Sequence, residues 1–479
     1  MGTIADKLTY LGQTKAEIRD AIVKKGVAVT PETTFREYAG KILEINAEGN
    51  GNDPLDWIRP TDWLRIEDSV TTGDQKFVGL HAISEDSNFI SFTATADYTV
   101  DWGDGVVENF TSGTQASHIY SYNSFPGTET ATGYRQAIVT ITPQNGQNLT
   151  SINLQKRHRQ PLLTYYSTGW MDIRMSGPKM TSLVIGGSLM YHGLLEAFCF
   201  LGNNEITSFR RAFYACPVLE SVILEDTSNA IDFGYMFASC KALAKIPLFN
   251  TSKGEDFGYM FQACTSLQKV PAFDTSNGNS FSSMFATCNA LKTIPELNTA
   301  NGRSFSGMFL ECTALRTVPL LDTSKGTEFR SMFLGCTLLR NIPPLDTTSG
   351  IEFISMFSSC VVLRTIPVLN TAKGQEFRSM FHSCSALESV PVLKVTEGTF
   401  FNDMFANCGS LSKATFSGTK QSIAYDSCKL SRVALVDIFK NIAAGVVSKT
   451  INITNNWGAP SLTTEERAIA TDKGWTIIG

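Results

Sequence analysis

The hydrophobic positions between residues 209 and 416 recur every 24 residues, through nine copies and without an insertion. In each copy one phenylalanine stands seven residues and another three residues before a cysteine, and a leucine stands three residues after it. A methionine stands four residues before the cysteine in eight of the copies. The cysteines are Cys216, Cys240, Cys264, Cys288, Cys312, Cys336, Cys360, Cys384 and Cys408. This fixed period predicts a solenoid, because a single short unit can bury its apolar face only against its neighbours.

Within one copy the pattern predicts a short strand, a turn, a short helix and a second turn. The apolar residues of F-x-x-M-F-x-x-C-x-x-L follow a helical period. The V/I-P-x-L stretch predicts a strand of two or three residues, since the proline nitrogen cannot donate to a ladder. The D/N-T-S-x-G segment predicts a turn in which the glycines from Gly254 to Gly398 take positive φ.

This signature resembles the bacterial surface-protein type of leucine-rich repeat, the BspA-like family. The resemblance covers nearly half of the chain. It implies that residues 209–428 form a leucine-rich-repeat solenoid that binds a partner or builds a structure and does not catalyse a reaction.

Residues 76–158 alternate apolar and polar positions in the manner of β-strands. They contain W-G-D-G, from Trp102 to Gly105, and a later H-x-Y formed by His118 and Tyr120. These residues resemble the PKD family of immunoglobulin-like domains, and the resemblance implies a β-sandwich.

The segment before the sandwich carries two helical patterns in residues 1–48, separated by Gly26 and Pro31. It resembles the N-terminal module of many bacteriophage tail-fibre and other virion proteins, which implies docking onto other virion proteins. A two-helix bundle of any function stays open. A DNA-reading helix is disfavoured, because the second helix carries a balanced set of acidic and basic residues. Residues 49–75 are predicted to be a linker.

The segments on either side of the repeats are predicted to cap the solenoid. Residues 159–208 cap the N-terminal end, and residues 429–479 cap the other end with an amphipathic helix, a strand and a second helix. Cys199 and Cys428, which are out of phase with the repeats, are assigned to the caps. The ending L-T-x-E-x-R-A-I-A-x-x-K-G-W resembles that of phage-encoded members of the repeat family. The fold class is therefore predicted as multidomain α+β.

The candidate chemistry of the chain is sparse. The nine repeat cysteines share the phase of the apolar residues, so we expect buried thiols that act as small hydrophobes. Parallel stacking disfavours disulfides, and the absence of C-x-x-C leaves zinc without support. We predict no metal and no cofactor. For Asp101 and Asp104 two uses stay open, as calcium ligands or as caps of a glycine turn.

No nucleophile, zinc-protease or phosphate-loop motif occurs, and the five histidines are scattered along the chain. We therefore predict that the protein is not an enzyme, although a pair of carboxylates for depolymerisation is not excluded. The net charge of −5 disfavours a nucleic-acid partner. No apolar run is long enough for a membrane span, and the first residues do not resemble a signal peptide.

One charged feature stands out in the repeats. Four residues after the cysteine, Lys292, Arg316, Arg340 and Arg364 occupy the same phase in consecutive copies. One interpretation of this basic column is a surface for an anionic partner, such as an acidic surface glycan or another virion protein. The alternative is a solvated edge that a neighbouring acidic column neutralises. That acidic column contains Asp256, Glu328, Glu352 and Glu376.

The predicted layout is a docking module, a spacer and a long capped solenoid. It favours a bacteriophage virion structural protein, assembled in the host cytoplasm, in which a tail fibre or related appendage displays the solenoid to a host-surface glycan or protein. A head fibre or decoration protein anchored on the capsid is the alternative within this class. A bacterial cell-surface adhesin is the alternative from another class. A homo-oligomer is compatible with all three.

Overall fold

The computed structural model describes residues 54–127, 129–157, 168–187 and 192–479. The helical module predicted for residues 1–48 lies outside the described residues. The chain divides into two compact units, Met1–Pro60 and Thr61–Gly479. All strands and helices described below belong to the second unit.

Two β-sheets pack face to face at the start of this unit. Their strands are β1 Lys76–Ile83, β2 Phe89–Thr95, β3 Tyr98–Asp101, β4 Val107–Phe110, β5 Gln115–Ile119, β6 Arg135–Pro143, β7 Ser151–Asn153, β8 Trp170–Ser176, β9 Ser182–Val184, β10 Ala197–Leu201 and β11 Ser221–Leu224. One sheet has the order β11-β10-β8-β1-β6-β3-β4 and the other β5-β2-β7-β9. The buried ring of Phe92 on β2 lies 5.7 Å from Trp102 and 6.3 Å from Tyr98, measured between ring centroids, so aromatic rings fill the space between the sheets.

Residues 61–75, which fall in the predicted linker, lie against this sandwich. Trp63, Ile66 and Val70 are buried. The backbone N–H of Leu64 donates to the side-chain oxygen of Gln136 at 2.9 Å, and the Gln136 amide donates back to the Asp62 carbonyl at 2.8 Å. Apolar burial and paired hydrogen bonds hold this segment on the first sheet.

Both sheets of the sandwich continue into the solenoid. In the first sheet β8, β10 and β11 run parallel, and β11 belongs to the first repeat. Beyond β9 of the second sheet, the N–H groups of Ile185 and Gly186 donate to the carbonyl of Ala212 at 3.2 and 2.7 Å. The sandwich therefore covers the N-terminal end of the solenoid core.

The repeats form a β-solenoid without helices, which corrects the short helix predicted for each copy. In the coil that contains Cys312, Gly307 and Glu311 have positive φ, and the equivalent residues of the other eight coils do too. A left-handed residue every four positions prevents an α-helix from continuing. The N–H groups instead alternate between two acceptors: Phe309 N donates to Met332 O of the next coil, and Cys312 N donates to Phe309 O of its own coil.

The repeat glycines have a different role from the one predicted. None of the glycines Gly254, Gly278, Gly302, Gly326, Gly350, Gly374 and Gly398 has positive φ. A Cβ on Gly326 would lie 2.7 Å from Cζ of Phe329 and 3.0 Å from the ring of Phe305. Glycine is therefore required because the phenylalanine rings approach the backbone too closely for a side chain.

Equivalent side chains stack from coil to coil. The phenylalanines three residues before the cysteines form a column with centroid separations of 5.4–5.9 Å. Bridges between residues eight positions before the cysteines form a parallel ladder from Ser208 to Phe400. A second ladder lies five positions after the cysteines, and it includes the strand pair β12 Ser389–Lys394 and β13 Lys413–Ser417.

Beyond residue 417 the chain continues the solenoid with coils of other lengths. The remaining elements are β14 Ile423–Ala424, α1 Arg432–Asn441, β15 Lys449–Asn452, α2 Thr464–Thr471 and β16 Trp475–Ile478. The three strands pair in parallel, and α1 and α2 are the two α-helices in the described part of the chain. Ser431 caps α1, and Thr463 and Glu466 form a capping box at α2.

Cys428, predicted to be off-phase, occupies the cysteine position of the first of these coils. It follows Ser427, which has positive φ, and the ring of Tyr425 stacks on Phe405 at 5.2 Å. In the next coil the buried Asn456 takes the same place, and its side-chain amide donates to the Tyr425 carbonyl at 2.7 Å. The coils beyond residue 417 therefore keep the geometry of the repeats, although they do not follow the 24-residue period.

Candidate binding face

The candidate site is one face of the solenoid, which we call the basic face. It comprises the segment from one residue before to eight residues after the cysteine, in the six coils that contain Cys240 to Cys360. These segments are 239–248, 263–272, 287–296, 311–320, 335–344 and 359–368. In each of them the leucine three residues after the cysteine is buried, and the residue eight positions after the cysteine is exposed.

The four residues of the predicted basic column lie on this face, and all four are exposed. The backbone holds the coils in register here: Arg316 N donates to Lys292 O at 3.0 Å. One position further along, Oγ1 of Thr317 lies 3.3 Å from Oγ1 of Thr293. Equivalent residues of adjacent coils are therefore direct neighbours, and the four cations form one row.

The basic face carries a charge opposite to that of the whole chain. It contains seven lysines and arginines and two glutamates, a net of +5, whereas the chain has a net charge of −5. Lys245 and Lys269 extend the positive charge toward the N-terminus. In their coils the cation stands one position later than in the coils of the row. Glu388 closes the row at the other end, where its carboxylate lies 3.5 Å from the guanidinium of Arg364. Both side chains of this pair are largely exposed, so the pair contributes little to stability.

The acidic column lies elsewhere on the coil, in the ladder eight positions before the cysteines. Its ion pairs are made with arginines two positions from the same ladder: Arg210 lies 2.9 Å from Asp256, and Arg378 lies 3.0 Å from Glu376. In the basic row, Arg364 pairs with Glu388. Asp256 and Glu376 of the acidic column therefore pair with arginines beside their own ladder.

Exposed aliphatic side chains accompany the cations, and they were not among the residues predicted from the sequence. Eight positions after the cysteine, Leu248, Leu320 and Val368 expose 68%, 66% and 76% of their surface. They follow the repeat prolines, whose missing N–H groups interrupt the ladder. The available signal in the sequence was the variability of this position, which changes between Leu, Ala, Glu, Pro and Val in the six coils while the proline before it stays constant.

The repeat cysteines are unsuited to redox or metal chemistry. All of them are buried and unpaired by disulfides. Burial raises the pKa of Cys240, Cys312 and Cys360 to about 12, so these thiols stay protonated at neutral pH. A protonated, inaccessible thiol is a poor nucleophile and a poor metal ligand.

The two aspartates beside the glycine turn of the sandwich are engaged within it. Asp101 accepts from Gly103 N at 2.9 Å, and Asp104 accepts from Val106 N at 3.1 Å. The second oxygen of Asp104 lies 2.8 Å from Nε2 of His118. The carboxylates therefore cap the turn. The described part of the chain contains no group of three or more His, Cys, Asp or Glu that could hold a metal ion.

The stacked coils define the class of the protein as a leucine-rich-repeat-like β-solenoid. The family model "Mycoplasma protein of unknown function, DUF285" matches residues 203–298 and 303–417, just under half of the chain. The match covers the repeats, and it gives no activity.

Two solved structures match parts of this chain. One is "Crystal structure of TLR13-ssRNA13 complex", with 14% identity, a TM-score of 0.22, and coverage of 64% of this chain and 50% of that chain. The other is "Plant peptide hormone receptor RGFR1 in complex with RGF2", with 11% identity, a TM-score of 0.21, and coverage of 70% and 63%. At these scores neither likeness bears on what this chain binds. Comparison with curated proteins gives no match.

Proposed function

We propose that the chain is a bacteriophage virion structural protein, a tail fibre or related appendage, that presents its solenoid to the host surface. The observation that carries the proposal is the continuity of both sandwich sheets with the first coil. A spacer joined in this way holds the repeats in a fixed orientation. A rigid spacer and a repeated basic face are properties that suit a protein presented to the host surface.

The finer description of the fold belongs to the same proposal. The sandwich is an immunoglobulin-like domain of the PKD type, supported by the Trp102–Gly105 turn and by the hydroxyl of Tyr120, which donates to the Trp102 carbonyl at 2.9 Å. The predicted helical module of residues 1–48 is the docking element for other virion proteins and would make the whole chain α+β. Neither α-helix of the described residues is long and apolar enough to cross a membrane.

Localisation on a particle tests this proposal. Antibodies raised against residues 61–479 would be used for immunogold negative-stain microscopy of purified virions and of the bacterial cells that produce them. Label on the tail is the expected result. Label on the capsid would move the protein to the head-fibre alternative, and label on cells without label on particles would overturn the virion assignment in favour of an adhesin.

An adsorption assay tests the role in attachment separately. Recombinant residues 61–479, added in excess to host cells, are expected to reduce adsorption of the phage by occupying its receptor. Unchanged adsorption, with particles that do carry the protein, would leave a structural role and remove host attachment. A preparation denatured by urea and dialysed serves as the control.

A further inference from the structure

Four consecutive coils present the same three side-chain types in the same order. Each offers a cation four residues after its cysteine, a hydroxyl or amide next to it, and a proline two residues further on. The sets are Lys292, Thr293 and Pro295; Arg316, Thr317 and Pro319; Arg340, Asn341 and Pro343; Arg364, Thr365 and Pro367. All four cations and their hydroxyl or amide neighbours are exposed.

Coil stacking repeats this set at a constant interval. Parallel strands lie about 4.8 Å apart. On the basic face the 3.0 Å hydrogen bond between Arg316 N and Lys292 O makes this contact for the first two of the four coils. The bonds from Phe309 N to Met332 O and from Phe333 N to Met356 O keep the remaining coils in the same register. A ligand that lies along the solenoid axis therefore meets a cation, a hydroxyl or amide and a proline at each step of about 4.8 Å. A surface of this kind favours a polymer whose own chemistry repeats at the same interval.

We infer that the basic face binds a linear anionic polysaccharide aligned with the solenoid axis, with one acidic sugar residue for each of the four coils. This inference rests on the proposed role in host attachment and names the class of receptor. The cation neutralises the acidic group of a sugar, and the hydroxyl or amide next to it bonds a sugar hydroxyl. The proline ring supplies an apolar surface for the C–H face of the sugar ring. In three of the four coils an exposed apolar residue follows it, Leu320, Pro344 or Val368, whereas the coil of Lys292 has Glu296 there.

An acidic polypeptide fits this face less well. The side chains on one face of an extended peptide are about 6.8 Å apart, so its charges lose register with the coils after two steps. The prolines also remove the N–H groups that an added strand would need. A 1,4-linked sugar ring advances by about one coil spacing per residue, so each of the four coils meets one sugar ring.

The decisive experiment is a calorimetric titration of the full chain with oligogalacturonides of increasing length, which carry one carboxylate per sugar. We expect affinity to rise with each added residue up to about four and then to level off, since four coils carry the complete set. Replacing the row in the variant K292S/R316S/R340S/R364S is expected to lower the affinity about tenfold or more and to remove most of its salt dependence. A glutamate oligopeptide of the same charge is expected to bind at least about tenfold more weakly.

Two further variants sharpen the result. R303S/K325S/R330S/K373S removes the same charge from the same part of the solenoid but away from the basic face, and it is expected to leave the affinity within about twofold. E388Q frees Arg364 from its carboxylate partner and is expected to increase affinity. All the replaced side chains are exposed, so we expect each variant to fold. Circular dichroism melts check this for each variant.

Three outcomes would overturn the inference: equal binding of the glutamate peptide, affinity independent of oligosaccharide length, or full binding by the fourfold basic-row variant. None of these affects the immunogold result. Label on the tail without length-dependent binding would remove the polysaccharide and retain the appendage. Length-dependent binding without label on particles would retain the polysaccharide and remove the appendage.

Discussion

At the scale of single residues, the repeat cysteine joins neighbouring coils as well as filling the core. The thiol of Cys312 donates to the carbonyl of Phe285 in the preceding coil, with a sulfur–oxygen distance of 3.0 Å. That carbonyl also accepts from Cys288 N at 3.1 Å. The same thiol contact recurs from Cys240 to Cys408 at 2.9–3.1 Å. A small apolar side chain with one donor satisfies both the packing and the carbonyl.

Substitutions at Cys312 separate these two contributions. Cys312→Ala removes volume and the donor, and we expect it to lower the free energy of unfolding by about 1–3 kcal/mol. Cys312→Ser also removes volume but keeps a hydrogen-bond donor. We therefore expect Cys312→Ser to lower the free energy of unfolding no more than Cys312→Ala does, despite the cost of burying a hydroxyl. Urea unfolding followed by circular dichroism measures both. If serine is clearly worse than alanine, the thiol hydrogen bond is unimportant.

Buried thiols also predict how stability depends on pH. The pKa of Cys312 is raised to about 12, whereas a thiol of the unfolded chain ionises near pH 9. Ionisation therefore favours the unfolded chain once the pH exceeds about 9, and this loss continues until about pH 12. Each such thiol contributes a decline of up to about 1.4 kcal/mol per pH unit. Thermal melts between pH 7 and 11 should show a constant midpoint followed by a steep fall.

The control for this prediction is the Cys312→Ser variant, which has one fewer thiol to ionise. Its decline above pH 9 should be shallower than that of the unaltered chain. Equal slopes for the two proteins would assign the alkaline loss to other groups, such as the buried tyrosines.

At the scale of the structural element, each coil depends on turns in place of a helix. Two left-handed residues per coil leave every second N–H free to donate to the next coil. Serine, asparagine, aspartate and glycine occupy many of these positions, and such residues tolerate positive φ better than β-branched ones do. In seven of the nine coils, a glycine ten residues before the cysteine gives the phenylalanine rings room to lie against the backbone.

Gly326→Ala tests this packing. The added Cβ would approach Phe329 and Phe305 at 2.7 and 3.0 Å, so two stacked rings must move. We expect a loss of about 1–3 kcal/mol in the free energy of unfolding. Gly409→Ala is the matched control, because nothing lies within 4 Å of its Cβ position and its φ is not positive. Equal midpoints of urea unfolding for the two variants would show that the rings adapt without cost.

At the scale of the whole molecule, the sandwich acts as the N-terminal cap of the repeats. β10 pairs with β8 on one side and β11 on the other, so the first coil shares a sheet with the sandwich. The ring of Phe198 contacts Phe213 at 4.8 Å and covers the end of the phenylalanine column. Without this cover, the first coil would expose an unpaired strand and an apolar core.

Truncation tests this coupling. A fragment of residues 203–479 keeps all nine repeats but loses the sandwich, and we expect it to melt at a lower temperature and to aggregate. Residues 61–479, which retain both parts, should unfold like the full chain. Differential scanning calorimetry and light scattering provide the measurements. An unchanged, monomeric fragment would show that the repeats need no sandwich.

Sequence reasoning recovered the solenoid, its core residues and the alignment of the four cations, because a fixed period forces equivalent residues into columns. It was wrong about the helix in each coil. The segment F-x-x-M-F-x-x-C has the apolar spacing of a helix, and the same spacing suits a pair of turns that point the same side chains inward. Only contacts between coils, such as the bond from Phe309 N to Met332 O, distinguish the two.

The sequence by itself determined that this chain stacks, which side chains it buries, and that one phase of the repeat is basic. Those properties follow from the period alone, since each unit must satisfy the same burial requirement as its neighbours. Only the tertiary structure decided the conformation of the coil, the pairing of acidic residues with arginines beside their own ladder, and the shared sheet of the sandwich and the first repeat. These depend on hydrogen bonds and ion pairs between residues that are mostly 22 or more positions apart, and no local pattern records which partner each group has.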